Sequence, residues 1–209
     1  MEHKEREKKL RLLVRKANKE QKKQAKKIDI LCNDLIAAQR EFIKRLDTIS
    51  FTANFYQSIL GITELNSVIF TAGKLIKNEV PDANVAVFLR QTNNFELFMF
   101  ESEHPIALGK QHLENCFTLE VVEDVCKLNK VCTLDGLFEM GLQGNPVMLN
   151  KISAVTIPLS HSGTSCGFIL IYRSSQYKLT AEEVNNISGI SSGLSRAISS
   201  CQAVRQSAD

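Results

Sequence analysis

The chain has 209 residues, of which 44% are hydrophobic, and a formal net charge of +3 at pH 7. This length suits one ordinary globular domain plus an extension, and the hydrophobic content is sufficient for a core. The sequence contains no run of eighteen apolar residues and no charged leader before an apolar stretch, so we expect neither a membrane span nor a secretory signal, and we expect a cytoplasmic protein.

The amino-terminal segment carries the basic character. Residues 1–27 hold twelve Lys and Arg against four Glu, a net charge of +8, whereas residues 28–209 carry −5. No Gly or Pro precedes Gly61, and helix-forming residues dominate, which predicts a long helix. A coiled-coil heptad places one seam position at Val14, Gln21, Ile28, Leu35, Phe42 and Ile49, and the other at Leu10, Ala17, Gln24, Leu31, Ala38 and Arg45. Because the glutamines would bury amides, we expect the basic end to splay and the later turns to hold a partner.

Three interpretations of the basic end remain open. It is a solvated extension of a coiled coil, a binder of anionic membrane or nucleic acid, or a docking helix for another protein. No aromatic residue precedes Phe42, which argues against stacking on bases and against a membrane anchor. We therefore divide the chain into a basic helix or coiled coil over 1–56, a globular domain over 57–203 and a disordered tail over 204–209.

The middle of the chain predicts a helix, a hairpin and a small insertion. Apolar periodicity indicates a helix over 59–80, which Pro81 stops. Strands at 84–90 and 95–102 form the hairpin. After a loop that ends near Gly109, we expect a helix at 118–130, a short strand at 131–136 and an irregular or briefly helical lid at 137–149.

The last third predicts a second hairpin and a closing helix. Residues 152–159 alternate two apolar sets, so we expect both faces of this strand to be covered. Gly163 supplies the positive φ of a turn before the strand at 166–174. Thr180 and Glu183 form a capping box, and the helix that follows carries one apolar stripe at Val184, Ile187, Ile190, Leu194 and Ile198.

This order of elements resembles a GAF domain over about residues 57–203. The block KISAVTIPLSHSGTSCGFILIYRSSQYKLTAEEVNNISGISSGLSRAI is similar to the usual ending of that family. The resemblance implies an α+β fold, with an antiparallel GAF-type sheet flanked by helices and preceded here by the long coiled-coil helix. It also implies first and last helices on one face, a small-ligand pocket beneath residues 103–150 on the other, and dimers through the first and last helices.

Departures from known GAF subclasses remove several ligands and reactions. The Asn-Lys-Phe-Asp signature of cyclic-nucleotide binders and the Asp-Ile-Pro pattern of bilin binders are absent. Cys116, Cys126 and Cys132 fall in the lid, as in the branch that reduces methionine sulfoxide, but without its local motif. No CxxC, HExxH, phosphate-loop or GxSxG motif occurs, so we expect reduced thiols, no metal site and no enzyme, and the sequence names no cofactor.

Two sets of site residues follow. The predicted ligand-binding set, in which aromatic walls meet a few polar groups, is Phe88, Phe98, Phe117, Thr118, Thr133, Asp135 and Phe138. The predicted dimer interface is Ile28, Leu31, Leu35, Phe42, Ile49, Ile190 and Leu194.

The function we expect is a non-enzymatic signal-transduction module. In it, a homodimeric GAF sensor or adaptor couples small-ligand or partner binding to the amino-terminal coiled coil. The alternative is an unliganded scaffolding dimer that docks partners or an anionic surface through its basic helix. An enzyme similar to methionine sulfoxide reductase is a remote third. The expected partners are a second copy in a parallel homodimer, a protein that binds the amino-terminal helix, and a small molecule.

Overall fold

The computed structural model describes residues 2–91, 94–102, 109–145, 149–161 and 163–206, and it divides into two compact units, one up to Ile49 and one from Ser50 onward. The helices are α1 (Glu2–Ile59), α2 (Leu65–Glu79), α3 (Lys110–Cys116), α4 (Leu119–Leu128), α5 (Leu134–Glu139) and α6 (Ala181–Gln206). The strands are β1 (Asn84–Arg90), β2 (Phe95–Phe100), β3 (Cys132–Thr133), β4 (Ile152–His161) and β5 (Thr164–Ser174). Over the described residues, none of these helices has the length and hydropathy of a bilayer span.

The first unit is the part of α1 up to Ile49, which confirms the predicted long helix. The described side chains of residues 3–46 are all exposed, because a lone helix has no second element to cover them. Ion pairs one turn apart, such as Arg45 Nε to Glu41 Oε1 at 3.1 Å, add little to its stability.

The second unit is built on an antiparallel sheet. Its described strands lie in the order β2-β1-β5-β4-β3 and all pair antiparallel, which confirms the predicted antiparallel α+β fold. The β4–β5 hairpin pairs Ile157 with Ile169 and turns at Gly163, whose φ of +85° is in the region that glycine adopts without strain, as predicted.

Both faces of the sheet are buried, as the alternation in β4 predicted. On one face, α2, α6 and the last turns of α1 cover Val85, Val87, Ile157 and Ile169. On the other face, α3, α4 and α5 cover Ala86, Phe88, Phe168 and Leu170. Because Phe55 is fully buried in the first cluster and Phe51 packs against it, the globular unit begins at Ser50 and not at the predicted residue 57.

Helix α6 begins with the predicted capping box. The Glu183 N–H donates to Thr180 Oγ1 at 3.2 Å, and the Thr180 N–H donates to Glu183 Oε2 at 2.7 Å. The helix continues to Gln206, three residues into the segment assigned to a tail, because no Gly or Pro follows Gly193. The rest of that segment, residues 207–209, lies outside the described residues.

Three elements differ from what the sequence predicts. The helix predicted from residue 59 starts only at Leu65, because α1 ends at Ile59 and Gly61 adopts a left-handed φ of +81°. Helix α3 was not predicted. The strand predicted at 131–136 is limited to Cys132 and Thr133, after which α5 begins.

Candidate functional site

A cluster of phenylalanines fills the side of the sheet where the resemblance places a pocket. The ring centroid of Phe88 lies 4.6 Å from that of Phe168, with the planes nearly parallel at 16°, and 4.8 Å from that of Phe117. Phe95 completes the group at 5.4 Å from Phe88. Offset aromatic pairs at these separations are favourable beyond their burial, so the cluster is a closely packed core.

A small cavity remains beside this cluster, between the sheet and helices α3 and α5. Its volume is about 20 Å³, which is close to the space that one water needs. The lining is almost entirely apolar, formed by Leu113, Cys116, Phe117, Leu134, Leu137, Leu142, Leu149, Ile152, Ala154, Leu170 and Tyr172. A ligand larger than water therefore requires α3 and α5 to move.

Local sequence signals position the cover over the cavity. Helix α4 starts where Thr118 Oγ1 accepts from the Val121 N–H at 3.5 Å, and it ends at Asn129, whose φ of +51° is left-handed. Its buried stripe of Val121, Val122, Val125 and Cys126 faces the sheet. The Gln143 N–H donates to the Cys116 carbonyl at 3.1 Å, which fastens the segment after α5 to the end of α3.

Two polar residues lie next to each other on this face, at the start of β1. Asn84 pairs in register with Tyr172 of β5. The Asn84 side chain is 2% exposed, and its Oδ1 accepts from the Ser102 N–H at 2.7 Å, but its Nδ2 has no partner among the described residues. Burial, together with the Glu101 carboxylate, raises the pKa of Tyr172, so its hydroxyl stays protonated at neutral pH.

Burial acts on several cysteines of the globular unit. It raises the pKa of the Cys116, Cys126, Cys132 and Cys166 thiols. Because the thiolate is the reactive form, this shift lowers the reactivity of these thiols. Within the described part of the chain, no group of three or more His, Cys, Asp or Glu is arranged to hold a metal ion.

The structure brings together only part of the predicted ligand-binding set. Phe88 and Phe117 belong to the aromatic cluster, and Phe138 packs half-buried against the same core. Thr118 is the N-cap of α4, whereas Thr133 and Asp135 are exposed.

Phe98 is a correction to that set. It pairs with Val87 and packs on the opposite face of the sheet, because alternate residues of β2 face opposite sides. Phe98 and Phe88 therefore do not line one pocket.

The predicted dimer residues divide between surface and core. Ile28, Leu31, Leu35, Phe42 and Ile49 are 57–68% exposed. Ile190 and Leu194 are a correction, since both are 0% exposed and pack toward the sheet within the same chain.

The outer side of α6 is a different surface. Ser192, Gly193 and Arg196 line a groove of about 540 Å³ together with Tyr56 and Leu60. The ring of Tyr56 lies over Gly193, where any larger residue would clash with it. The outer side of α6 therefore carries small and polar residues, whereas its apolar stripe is covered within the same chain.

Sequence reasoning missed Asn84 and Tyr172. Both lie in strands. Asparagine is an unfavourable residue in a strand, and a tyrosine in an apolar strand is indistinguishable from an ordinary core residue. The available signal was an asparagine that opens the strand Asn84–Arg90 directly before five apolar residues, since a buried amide requires polar partners.

Solved structures resemble the chain in fold. The GAF domain from an Acinetobacter phosphoenolpyruvate-protein phosphotransferase has 11% sequence identity and a TM-score of 0.56, over 76% of this chain and 97% of that one. A GAF domain/HD domain protein from Geobacter sulfurreducens has 14% identity and a TM-score of 0.54, over 69% and 98%. Residues 122 to 287 of a methyl-accepting chemotaxis protein have 13% identity and a TM-score of 0.53, over 74% and 99%.

Together with the sheet order, these similarities identify the globular unit as a GAF-type fold. No family model matches the sequence, and a search of the curated proteins finds no match. At 11–14% identity the likeness concerns the fold alone.

Proposed function

We propose that the protein is a non-enzymatic signal-transduction module that forms a parallel homodimer through α1 and acts as an adaptor for a protein partner. The observation that carries this proposal is the exposed apolar seam of α1, Ile28, Leu31, Leu35, Phe42 and Ile49. A row of large apolar side chains in water is unfavourable, and pairing of two helices buries it. The likeness in fold to part of a methyl-accepting chemotaxis protein and to the GAF domain of a phosphotransferase supports a signalling role.

The parallel direction is supported by the two glutamines of the seam. In a parallel pair in register, Gln21 and Gln24 lie at the same level in both copies, next to the basic end where we expect the helices to splay, so their amides stay in water. In an antiparallel pair they would lie against apolar residues of the later turns, where an unpaired amide is costly.

A second apolar line on α1 supports partner docking. Cys32, Ile36, Ile43 and Leu46 follow one another at four, seven and three residues, so they share one side of the helix beside the seam. All four are exposed. The seam and this second line together form an apolar face that is wider than the seam of a two-stranded coiled coil. We therefore propose that an amphipathic helix of a partner protein packs against the second line.

The dimer makes a cross-linking prediction. In a Cys32→Ser background, we expect Leu35→Cys, and separately Leu31→Cys, to form a disulfide-linked dimer under mild oxidation, because equivalent seam residues of a parallel pair face each other within disulfide range. Non-reducing gel electrophoresis measures the product. Ala37→Cys is the matched control, since residue 37 lies outside the seam on the same exposed helix. Equal cross-linking at residues 35 and 37, or none at 31 and 35, would reject the parallel seam.

A second candidate function is small-molecule sensing at the cavity. Asn84 does not line the cavity, but it pairs with Tyr172, which does. The unpartnered Asn84 Nδ2 beside that wall favours sensing, because a ligand oxygen would satisfy this buried donor. Against it stands the cavity volume of about 20 Å³. The unliganded scaffold remains the alternative, in which the aromatic cluster is only a structural core.

Ligand screening separates these functions. If the cavity is a sensor site, native mass spectrometry of freshly purified protein retains a small molecule, or a screened compound raises the melting temperature through binding to the folded state. Asn84→Ala should remove that shift without removing dimerisation. A clean apo mass with no stabilising compound would leave the adaptor as the function.

We also place the protein in the cytoplasm. The six cysteines are not joined in disulfides, although four of them are buried. Unpaired thiols in this number are typical of a reducing compartment.

A further inference from the structure

The outer side of α1 carries a dense row of positive charge over residues 8–27. Ten of these twenty residues are Lys or Arg and only Glu20 is acidic. None of the ten occupies a seam position, since positions 10, 14, 17, 21 and 24 hold Leu, Val, Ala, Gln and Gln. The basic residues therefore face away from the seam, on the surface that pairing of α1 leaves in solvent. We call this surface, residues 8–27 without the seam positions, the basic face.

The positive charges of the basic face are largely uncompensated. Arg11 Nη2 contacts Glu7 Oε1 at 2.9 Å and Lys23 Nζ contacts Glu20 Oε1 at 3.2 Å, both on exposed side chains. The other eight basic side chains have no carboxylate within ion-pair distance among the described residues. Like charges crowded on one helix repel each other, so a polyanion that neutralises them is favoured.

The dimensions of the basic face fit a nucleic-acid duplex. Its outermost row is Lys8, Arg15, Lys19, Lys22 and Lys26, at spacings of seven, four, three and four residues. At about 1.5 Å per residue the row is about 27 Å long, and a helix about 10–12 Å wide enters a major groove of about 12 Å. We propose that the basic face binds double-stranded nucleic acid through its phosphates, with little preference for sequence.

The residue types explain the absence of sequence preference. Eight of the ten cations are lysines, which act as point charges, and phosphate contacts carry no base information. Helices that are basic at the amino-terminal end and pair through heptads further on straddle a duplex as a fork. The polar seam residues Gln21 and Gln24 weaken pairing at the level where such a fork must open.

A membrane fits the same charges less well. A helix that lies in a bilayer surface inserts its apolar side and keeps its cations on the opposite, polar side. Here the side opposite the row from Lys8 to Lys26 carries Leu10, Val14 and Ala17 but then two glutamines, so the apolar side available for insertion is only about two turns long. No aromatic residue of 3–41 provides an interfacial anchor.

The test uses the full chain and a fluorescent mixed-sequence DNA duplex of about 20 base pairs, or two helical turns. In fluorescence anisotropy at about 50 mM salt, the wild type should bind, and its affinity should fall at least tenfold at about 200 mM salt because counterions are released. The triple variant Lys19→Gln, Lys22→Gln, Lys26→Gln should bind at least tenfold more weakly and with a shallower salt dependence. Glutamine keeps the helix propensity of lysine, so circular dichroism should not change.

The matched control removes the same charge elsewhere. Lys110→Gln, Lys127→Gln and Lys151→Gln replace three exposed lysines of the globular unit, and we expect duplex affinity within twofold of the wild type. Equal weakening by both triple variants, or no duplex binding by the wild type at low salt, overturns the proposal. Binding to phosphatidylserine-containing vesicles but not to the duplex also overturns it and assigns the face to membranes. The forked arrangement rests on the proposed dimer, which the cross-linking experiment measures separately. If the protein forms the cross-linked dimer but does not bind the duplex, this inference is refuted and the proposed dimer is not.

Discussion

Replacing Phe88 by alanine is expected to lower the free energy of unfolding by about 3–5 kcal/mol. Phe88 is fully buried at the centre of the aromatic cluster, with Phe95, Phe117 and Phe168 around it, so its removal leaves a cavity and ends three ring contacts. The lost burial of an aromatic side chain and the unfilled space add to each other. Chemical denaturation followed by circular dichroism measures the change.

Phe70→Ala is the control for this loss. The side chain of Phe70 is 55% exposed, its ring meets that of Phe100 edge to face at 5.6 Å between centroids, and the Lys74 ammonium lies 6.0 Å from its centroid. We expect a cost of about 1 kcal/mol, the usual size of one aromatic pair at the surface. If the two variants lost equal stability, the aromatic cluster would not be the packed core described here. Phe88→Leu should fall between them, because it keeps much of the apolar volume.

Arg173→Met is the second change with a large expected effect, about 2–4 kcal/mol of unfolding free energy at pH 7. Arg173 is nearly buried, and its Nη1 and Nη2 contact Glu183 Oε1 and Oε2 at 3.0 and 2.8 Å. The same guanidinium donates to the carbonyls of Tyr177 and Lys178, at 2.6 and 2.7 Å. The side chain thus ties the loop between β5 and α6, and its removal leaves the Glu183 charge half-buried and unpaired.

The pH dependence of this contribution follows from Glu183. Burial of the carboxyl opposes its charge, but hydrogen bonds from the Thr180 backbone and hydroxyl and from Arg173 outweigh that effect and hold the pKa of Glu183 below its ordinary value. The stabilisation that ionised Glu183 contributes is therefore complete above the pKa of the unfolded state, about 4.3, and is lost as the pH falls through the lower pKa of the folded state. Denaturation curves of wild type and Glu183→Gln should differ most at neutral pH and converge in acid.

Two further variants check this interpretation. Lys127 forms exposed ion pairs with Glu123 and Asp124, and we expect Lys127→Met to leave stability unchanged. Arg173→Met combined with Glu183→Gln should cost less than the sum of the single changes, because the second change removes the unpaired charge that the first creates. Additive costs would show that the two residues act separately.

The features that the sequence predicts correctly depend on residues that are adjacent in the chain. The capping box at Thr180 and Glu183 and the turn at Gly163 each need only a few adjacent positions, and the structure contains both. The helix-to-strand order and the alternation within β4 also follow from local periodicity. These local signals were enough for the fold class and for the two covered faces of the sheet.

The errors concern features that depend on distant contacts. Phe98 faces the side opposite to Phe88 because it pairs with Val87 of β1. The sequence of either strand alone does not determine this register. Ile190 and Leu194 were placed at a dimer interface although the stripe they belong to covers the sheet. Helix α3 is a single short stretch whose amphipathic signal is too brief to separate from a loop.

The sheet lies between two hydrophobic cores, and each of its central strands contributes side chains to both. Strand β1 sends Phe88 into the aromatic cluster and Val87 and Leu89 into the core that contains Phe55 of α1. A shift of β1 toward α3 to α5 would therefore withdraw Val87 and Leu89 from the other side, because close-packed interiors leave no slack. Strand β1 therefore couples the two cores. If helices α3 to α5 moved away from the sheet and β1 followed them, the packing against the last turns of α1 would change as well.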